Sequence, residues 1–218
     1  NANLRFKEDR LDIRSGNIKF DQSGVRFSGV YQRGNVPSLE LNLTGRRLNI
    51  DEFLPEPQGE ETSLMDRLNQ SEFFAKGKGE IRFNLDKLDY QLFTLDQVAG
   101  SIVLNNREIG MKDLVFDSNS SINSGGRILI DAKGVGHFEG SVQAQDMKTK
   151  NLFSFFGDIF ENSLSGDVKM VDARLKGSGK DWKEIFRSLS GNLSLDLQSG
   201  SINLEKLKRG VRRLFSSI

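Results

Sequence analysis

The sequence lacks several residue types on which catalysis, metal binding or covalent cross-linking commonly depends. Its 218 residues include no cysteine and a single histidine, His137. Without cysteine the chain forms neither disulfides nor thiolate ligands, and one histidine cannot supply a zinc site built from several histidines. A Ser-His-Asp triad would have to be built on His137 alone, and no motif accompanies it. We therefore expect no cofactor, no metal and no enzymatic activity.

Charge and hydropathy exclude two further classes. The 31 Lys and Arg residues nearly balance the 30 Asp and Glu residues, for a formal net charge of +1. A dedicated nucleic-acid binder has a broad basic excess, so no nucleic-acid partner is expected. No run approaches the roughly 18 apolar residues that would span a bilayer. Because the first residue is Asn1 rather than an initiator methionine, we expect the chain to be a piece of a longer protein.

Strict alternation of apolar and polar residues is the dominant pattern of the chain. It runs through Leu39–Leu43, Ile81–Leu85 and Leu193–Leu197. A period of two gives a strand one apolar and one polar face. Turn sequences separate these runs at short intervals, and they include Ser15-Gly16-Asn17, Gln22-Ser23-Gly24, Asn105-Asn106 and Ser199-Gly200. The pattern predicts a mainly β fold made of antiparallel strands.

Helical periodicity is confined to short segments. Trp182, Ile185, Phe186 and Leu189 recur at helical spacing, and Asp181 and Glu184 are spaced as a capping pair. The other predicted helices lie around Leu64–Leu68, at Leu152–Phe160 and at Leu204–Phe215. These segments are too few to cover one apolar face on each of ten or more strands. Either two sheets face each other as a closed sandwich, or one long curled sheet leaves an apolar groove open.

The chain also resembles itself. Gly79–Phe83 is similar to Gly166–Met170, and Ala99–Leu104 is similar to Ser190–Leu195. The order of features around these segments is preserved between the two halves. We interpret the chain as one domain, 1–218, built from two repeated β-rich units at about 1–98 and 99–218.

The last third carries a series of motifs that resembles a known family. Ser165–Met170 is a strand beginning with Ser-Gly, and Leu175–Gly179 ends in a Gly-Ser-Gly turn. The helix Trp182–Leu189 follows, and then Leu189–Ile202 reads Leu-Ser-Gly-Asn-Leu-Ser-Leu through to Gly-Ser-Ile. This series, which covers 165–207, resembles the C-terminal region of the AsmA-like proteins of Gram-negative bacteria, with their TamB- and YhdP-type members. The family often has a second glycine where this chain has Asn203.

The resemblance implies a fold and a function. AsmA-like proteins are periplasmic bridges anchored in the inner membrane, whose curled β-sheets form a hydrophobic groove for phospholipid acyl chains on the way to the outer membrane. By this resemblance we expect a periplasmic lipid-transport module of the cell envelope, active in outer-membrane biogenesis. The alternative is a non-catalytic structural or interaction module, a closed β-sandwich that organises other envelope proteins. Candidate groove residues, taken from the alternating positions, are Leu39, Leu41, Leu43, Ile81, Phe83, Ile102, Leu104, Ile128, Ile130, Leu193 and Leu195.

Two segments could also contact a membrane surface. The predicted C-terminal helix, Leu204–Phe215, carries an apolar stripe flanked by basic residues. This pattern is typical of helices that lie in an anionic membrane interface. The same stripe could instead pack on the end of the sheet, and the aromatic segment Leu152–Phe160 has the same two interpretations. The membrane-contact candidates are Phe155, Phe156, Phe160, Lys208, Arg209, Arg212, Arg213, Leu214 and Phe215.

Overall fold

The computed structural model describes residues 1–53, 68–90, 93–115, 121–148 and 163–217. They form one open mixed sheet of eleven strands, in which each strand lies beside its neighbours in sequence. The strands are β1 (Ala2–Lys7), β2 (Arg10–Phe20), β3 (Ser23–Gln32), β4 (Ser38–Asn49), β5 (Lys78–Tyr90), β6 (Phe93–Asn105), β7 (Glu108–Val115), β8 (Ser121–Ile130), β9 (Gly136–Lys148), β10 (Leu164–Gly179) and β11 (Ser190–Ile202). The mainly β prediction is confirmed.

Three α-helices are described over their full length: α1 (Glu72–Lys76), α2 (Trp182–Arg187) and α3 (Leu204–Ser217). Residues 68–70 are helical as well. A 3-10 helix, Ile50–Phe53, follows β4. The predicted helices at Trp182–Leu189 and Leu204–Phe215 are confirmed by α2 and α3. Of the predicted helix around Leu64–Leu68, Leu68 is helical, whereas Leu64 and Met65 lie outside the described residues. The predicted helix at Leu152–Phe160 also lies outside them.

One pair of strands corrects the expectation of a wholly antiparallel sheet. β4 and β5 are parallel, with Leu41 opposite Ile81 and Leu43 opposite Phe83. A tight turn can join only antiparallel strands, whereas a long connection can carry the chain back to the starting end of the sheet. Residues 50–77 form such a connection between β4 and β5, and α1 lies at its end. Every other neighbouring pair is antiparallel.

Two predicted turns are wrong, because their glycines serve close packing instead. Gly16 lies inside β2, and a Cβ there would overlap the ring of Phe27 on β3. Gly200 lies inside β11 at φ +152° and faces Gly166 at φ +109° on β10. At both positions of this pair a Cβ would overlap the backbone of the other strand, so only glycine lets the strands approach.

The core lies on one side of the sheet, which we call the apolar face, and the opposite side is the polar face. Two buried clusters occupy the two ends of the strands on the apolar face. Cluster one contains Val25, Leu85, Val98, Ile122, Ala144, Val168 and Val171. Cluster two contains Ile128 and Ile130 from β8, covered by Phe74 of α1 and Ile185 of α2.

Candidate functional site

A row of small and apolar residues crosses the apolar face between the two clusters, and we call it the central row. Register connects its members directly: Leu41 lies opposite Ile81, Ile81 opposite Ile102, and Ile102 opposite Met111. The row continues through Gly126, Gly140, Leu175 and Gly191. Met111 is 41% exposed and Leu175 is 39% exposed, although both lie on the face that carries the core. The apolar face is therefore partly exposed at these two positions.

A depression of about 160 Å³ lies on this part of the apolar face. Met111, Leu114, Val142, Ala173 and Leu175 line it with apolar side chains, together with backbone at Gly126 and Gly140. The ring of Phe138 lies over Gly140, because a Cβ on this glycine would come within 2.6 Å of it. The absence of side chains at the two glycines leaves room that the neighbouring strands do not fill.

Both edge strands also present apolar side chains. Phe6 of β1 is 73% exposed and lies opposite Leu11, while Leu193 of β11 is 70% exposed and lies opposite Ala173. β11 is thirteen residues long, and Asp196 is its only charged residue. Long edge strands without charges or prolines are open to pairing with a further strand.

Local hydrogen bonds explain why α2 forms where it covers cluster two. The Asp181 carboxylate accepts a hydrogen bond from the Glu184 backbone N–H at 2.7 Å, and the Glu184 carboxylate accepts one from Lys180 N–H at 2.8 Å. These bonds satisfy donors that the first turn leaves unpaired. Ile185, 1% exposed, is thereby held against Ile128 and the glycine backbone at Gly136.

Helix α1 is an element that the sequence reasoning missed. Phe74 is 1% exposed and is the largest side chain in cluster two. Five residues are too few for a recognisable helical period, which is why periodicity did not reveal α1. Its one local signal is Ser71, whose hydroxyl accepts a hydrogen bond from Phe74 N–H at 3.3 Å as an N-cap.

Two carboxyl groups with lowered pKa values hold loops in place through hydrogen bonds and are not part of a reactive centre. Backbone N–H groups of Val135 at 3.0 Å and Lys133 at 2.8 Å donate to Asp131, and these bonds lower the pKa of its carboxyl group. His137 lies 3.4 Å from the same carboxylate on the polar side of β9. Ser23 and the Gln22 N–H hydrogen-bond to Glu52, which lowers the pKa of that carboxyl group and ties the 3-10 helix to the β2–β3 turn.

The polar face has a larger depression, of about 620 Å³. Its charged side chains are of both signs, and Arg127 donates to Glu139 at 2.8 Å across β8 and β9. Arg174 lies 3.7 Å from Asp172 on its own strand. Exposed ion pairs of this kind contribute little to the stability of the fold. Because these charges are exposed and of mixed sign, they do not favour a ligand of one charge, and we place the candidate site on the apolar face.

The structure separates the predicted groove residues into three groups. Ile128 and Ile130 are 6% and 0% exposed, so they lie in the core beneath α1 and α2 rather than on an open surface. Leu193 lies at the opposite extreme, on the edge strand β11. The remaining candidates are half-buried: Leu39, Leu41, Leu43, Ile81, Phe83, Ile102, Leu104 and Leu195. Of these, Leu43, Phe83 and Leu195 pack against cluster one and Leu104 against cluster two.

The predicted membrane-contact residues fall in two places. Lys208, Arg209, Arg212 and Arg213 are exposed on α3, and Lys208 lies 3.4 Å from Glu205. Leu214 and Phe215 belong to the same helix. Phe155, Phe156 and Phe160 lie outside the described residues.

The described residues contain no group of three or more His, Asp or Glu side chains placed to hold a metal ion. None of the helices in this part of the chain is both long and apolar enough to cross a membrane. Comparison with known proteins finds no matching family model, no matching curated protein and no matching solved structure.

Proposed function

We propose that this chain is an AsmA-like lipid-binding module, which holds phospholipid acyl chains in an apolar groove along the middle of its sheet. In this proposal it forms part of a longer periplasmic protein anchored in the inner membrane, and conducts lipid between the inner and outer membranes without covalent chemistry. The observation that carries the proposal is the central row, which runs partly exposed between two buried clusters of the same face.

The energetics of the central row favour an apolar ligand. Exposed apolar surface that is contiguous rather than scattered usually marks a binding surface. Met111 and Leu175 are both exposed beside the same depression. The depression of about 160 Å³ is similar in size to apolar cavities of about 150 Å³ that accept benzene. Each methylene group buried there contributes about 0.8 kcal/mol. The depression can therefore accommodate a short stretch of acyl chain, and burial of its methylene groups favours binding without any polar contact.

The position of α3 supports a curled sheet. The helix begins beside Asn203, whose N–H donates to the Ser163 carbonyl at 2.8 Å, and its Cα atoms come within 8 Å of α2 at the other end of β11. A straight β11 would span about 40 Å. Helix α3 is only about 21 Å long. Helix α3 reaches from one end of β11 to the other, although it is only about half as long as a straight β11. The two ends of β11 are therefore closer together than in a straight strand. Such curvature is expected of a sheet that forms a groove.

The repeated units complete the proposal. Each unit contributes strands to the same apolar face: Ile81 and Phe83 from the first, Ile102 and Leu195 from the second. Repetition of such a unit would extend a groove across the strands, with both ends of the sheet left open at β1 and β11.

Native mass spectrometry of detergent-free protein tests the lipid assignment. We expect bound phospholipid at a defined stoichiometry, released on denaturation and identified after extraction. A clean unliganded mass that does not change after incubation with phospholipid vesicles would refute lipid binding. That outcome would favour the second candidate, a structural or interaction module without ligand, for which the open edge of β11 is the specific supporting feature.

The basic face of α3 is proposed to contact an anionic membrane surface. Changing Lys208, Arg209, Arg212 and Arg213 to Gln should weaken co-sedimentation with phosphatidylglycerol vesicles at least tenfold, because each basic residue near such a surface contributes about 1 kcal/mol. Binding to phosphatidylcholine vesicles should not change. A charge-matched control replaces the exposed Arg5, Lys7, Arg14 and Lys19 of β1 and β2. Equal loss in both variants would mean that net charge alone attracts the protein.

A further inference from the structure

Four polar residues are buried within the described ranges: Ser23, Asp89, Ser124 and Ser163. Two of them are satisfied, because the Ser23 hydroxyl accepts from Asn49 N–H at 2.9 Å, and Asp89 accepts from Arg47 at 2.6 Å and Thr94 at 2.8 Å. Ser163 lies in the turn before β10, where Asn203 donates to its carbonyl rather than to its hydroxyl. Of these four residues, Ser124 is the one that both lies in a strand and has an unpartnered hydroxyl.

The surroundings of Ser124 are apolar on every side that register defines. Leu114 lies opposite it on β7, and Val142 lies opposite it on β9. Along β8 its neighbours on the same face are Ile122, in cluster one, and Gly126, in the central row. Ser124 is 8% exposed, and its hydroxyl has no hydrogen-bond partner among the described residues. A hydroxyl so placed is costly, because water has been removed and nothing has replaced it.

The same serine lines the depression of about 160 Å³ on the apolar face. Gly126 and Gly140 leave that space beside it, and the other side chains around it are Met111, Leu114, Phe138, Val142, Ala173, Leu175 and the exposed Ser141. The site thus combines a mainly apolar cleft with one buried, unsatisfied donor. A ligand that suits both features is an apolar chain with a single acceptor oxygen.

We propose that Ser124 is a hydrogen-bonding subsite for the ester carbonyl of an acyl lipid whose chain lies along the central row. The subsite rests on the proposed groove and deepens it, because it assigns a preference for ester-linked chains over chains without a carbonyl. The donor is the Ser124 hydroxyl and the acceptor is the carbonyl oxygen, so no bond is broken. Binding moves aside the apolar side chains that cover the hydroxyl.

The test compares diacyl and dialkyl-ether phosphatidylcholine of equal chain length, bound to the detergent-free protein. The two lipids differ only at the carbonyl groups. One neutral hydrogen bond predicts that the wild-type protein binds the diacyl lipid about fivefold more tightly. Ser124→Ala should lower the affinity for the diacyl lipid to that for the ether lipid, and leave the ether lipid unaffected. Ser124→Thr, which keeps a hydroxyl, should retain the preference.

A stability measurement separates this role from a structural one. Because the hydroxyl is unpartnered, Ser124→Ala should unfold at the same or a higher urea concentration than wild type. The matched control is Ser194→Ala, an exposed serine of β11 opposite Asp172, which should change neither lipid preference nor stability. Equal wild-type affinity for both lipids, or a preference that survives Ser124→Ala, would overturn the subsite and leave the groove intact. Failure of both lipids to bind would overturn the groove itself and the subsite with it.

Discussion

Charge placed in the central row should separate an open apolar surface from a closed core. The perturbation is the double change Met111→Asp and Leu175→Asp, at positions that are 41% and 39% exposed. Complete burial of such side chains contributes about 1.5–3 kcal/mol each. About three-fifths of each is covered, so each change should cost about 1–2 kcal/mol, and the carboxylates stay partly hydrated.

The double variant should therefore stay folded, because a loss of about 2–4 kcal/mol lies within the stability of a typical domain, about 5–15 kcal/mol. The matched control is Ile128→Asp, at a site that is 6% exposed beneath Phe74 and Ile185. There the lost burial adds to the cost of an unpaired buried carboxylate, itself several kcal/mol. This single change should leave little folded protein.

Urea unfolding followed by circular dichroism measures stability, and extraction with mass spectrometry measures retained lipid. The double variant should keep a cooperative transition and lose lipid at least tenfold, because two carboxylates would have to lose water to meet an acyl chain. Cooperative folding with wild-type lipid content would refute the central row as the binding surface. Unfolding of the double variant would show that Met111 and Leu175 belong to a closed core.

Three further predictions test other parts of the molecule. Gly16→Ala should lower the free energy of unfolding by about 1–3 kcal/mol, because the added methyl group would overlap the Phe27 ring. The control Gly24→Ala, which has open space around it, should leave the free energy of unfolding unchanged, and equal urea midpoints for the two variants would contradict this packing. Leu193→Lys should reduce the concentration-dependent association seen by sedimentation velocity, because a charge on the β11 edge opposes pairing with another strand. The control Leu204→Lys, at an exposed position of α3, should leave association unchanged, and association unchanged by Leu193→Lys would exclude the β11 edge as the contact. The lowered pKa of Asp131 means that its contribution to stability is present above the ordinary aspartate pKa and is lost as pH falls through the lowered value. In Asp131→Asn the free energy of unfolding should therefore fall less steeply below about pH 4 than it does in the wild type. An equal fall in both proteins would show that the hydrogen bonds to Asp131 do not contribute to the pH dependence of folding.

The sequence by itself determined the local elements and the two faces of the sheet. Alternation at Leu39–Leu43 and Ile81–Leu85 predicts strands correctly because side chains of a pleated strand necessarily point to opposite sides. The capping pair Asp181 and Glu184 predicts the start of α2, because the bonds that begin a helix join residues three or four apart.

Tertiary structure alone decided which strands pair in parallel, which apolar residues are covered and what the glycines do. Alternation is the same in a covered and an uncovered strand, so Ile128 and Ile102 look alike in sequence, although only Ile128 lies beneath α1 and α2. Gly16 and Gly200 resemble turn glycines until Phe27 and Ser165 approach them from neighbouring strands. The parallel pairing of β4 with β5 depends on where residues 50–77 return the chain. Contacts between residues distant in sequence decide each of these features, and a local pattern carries no information about them.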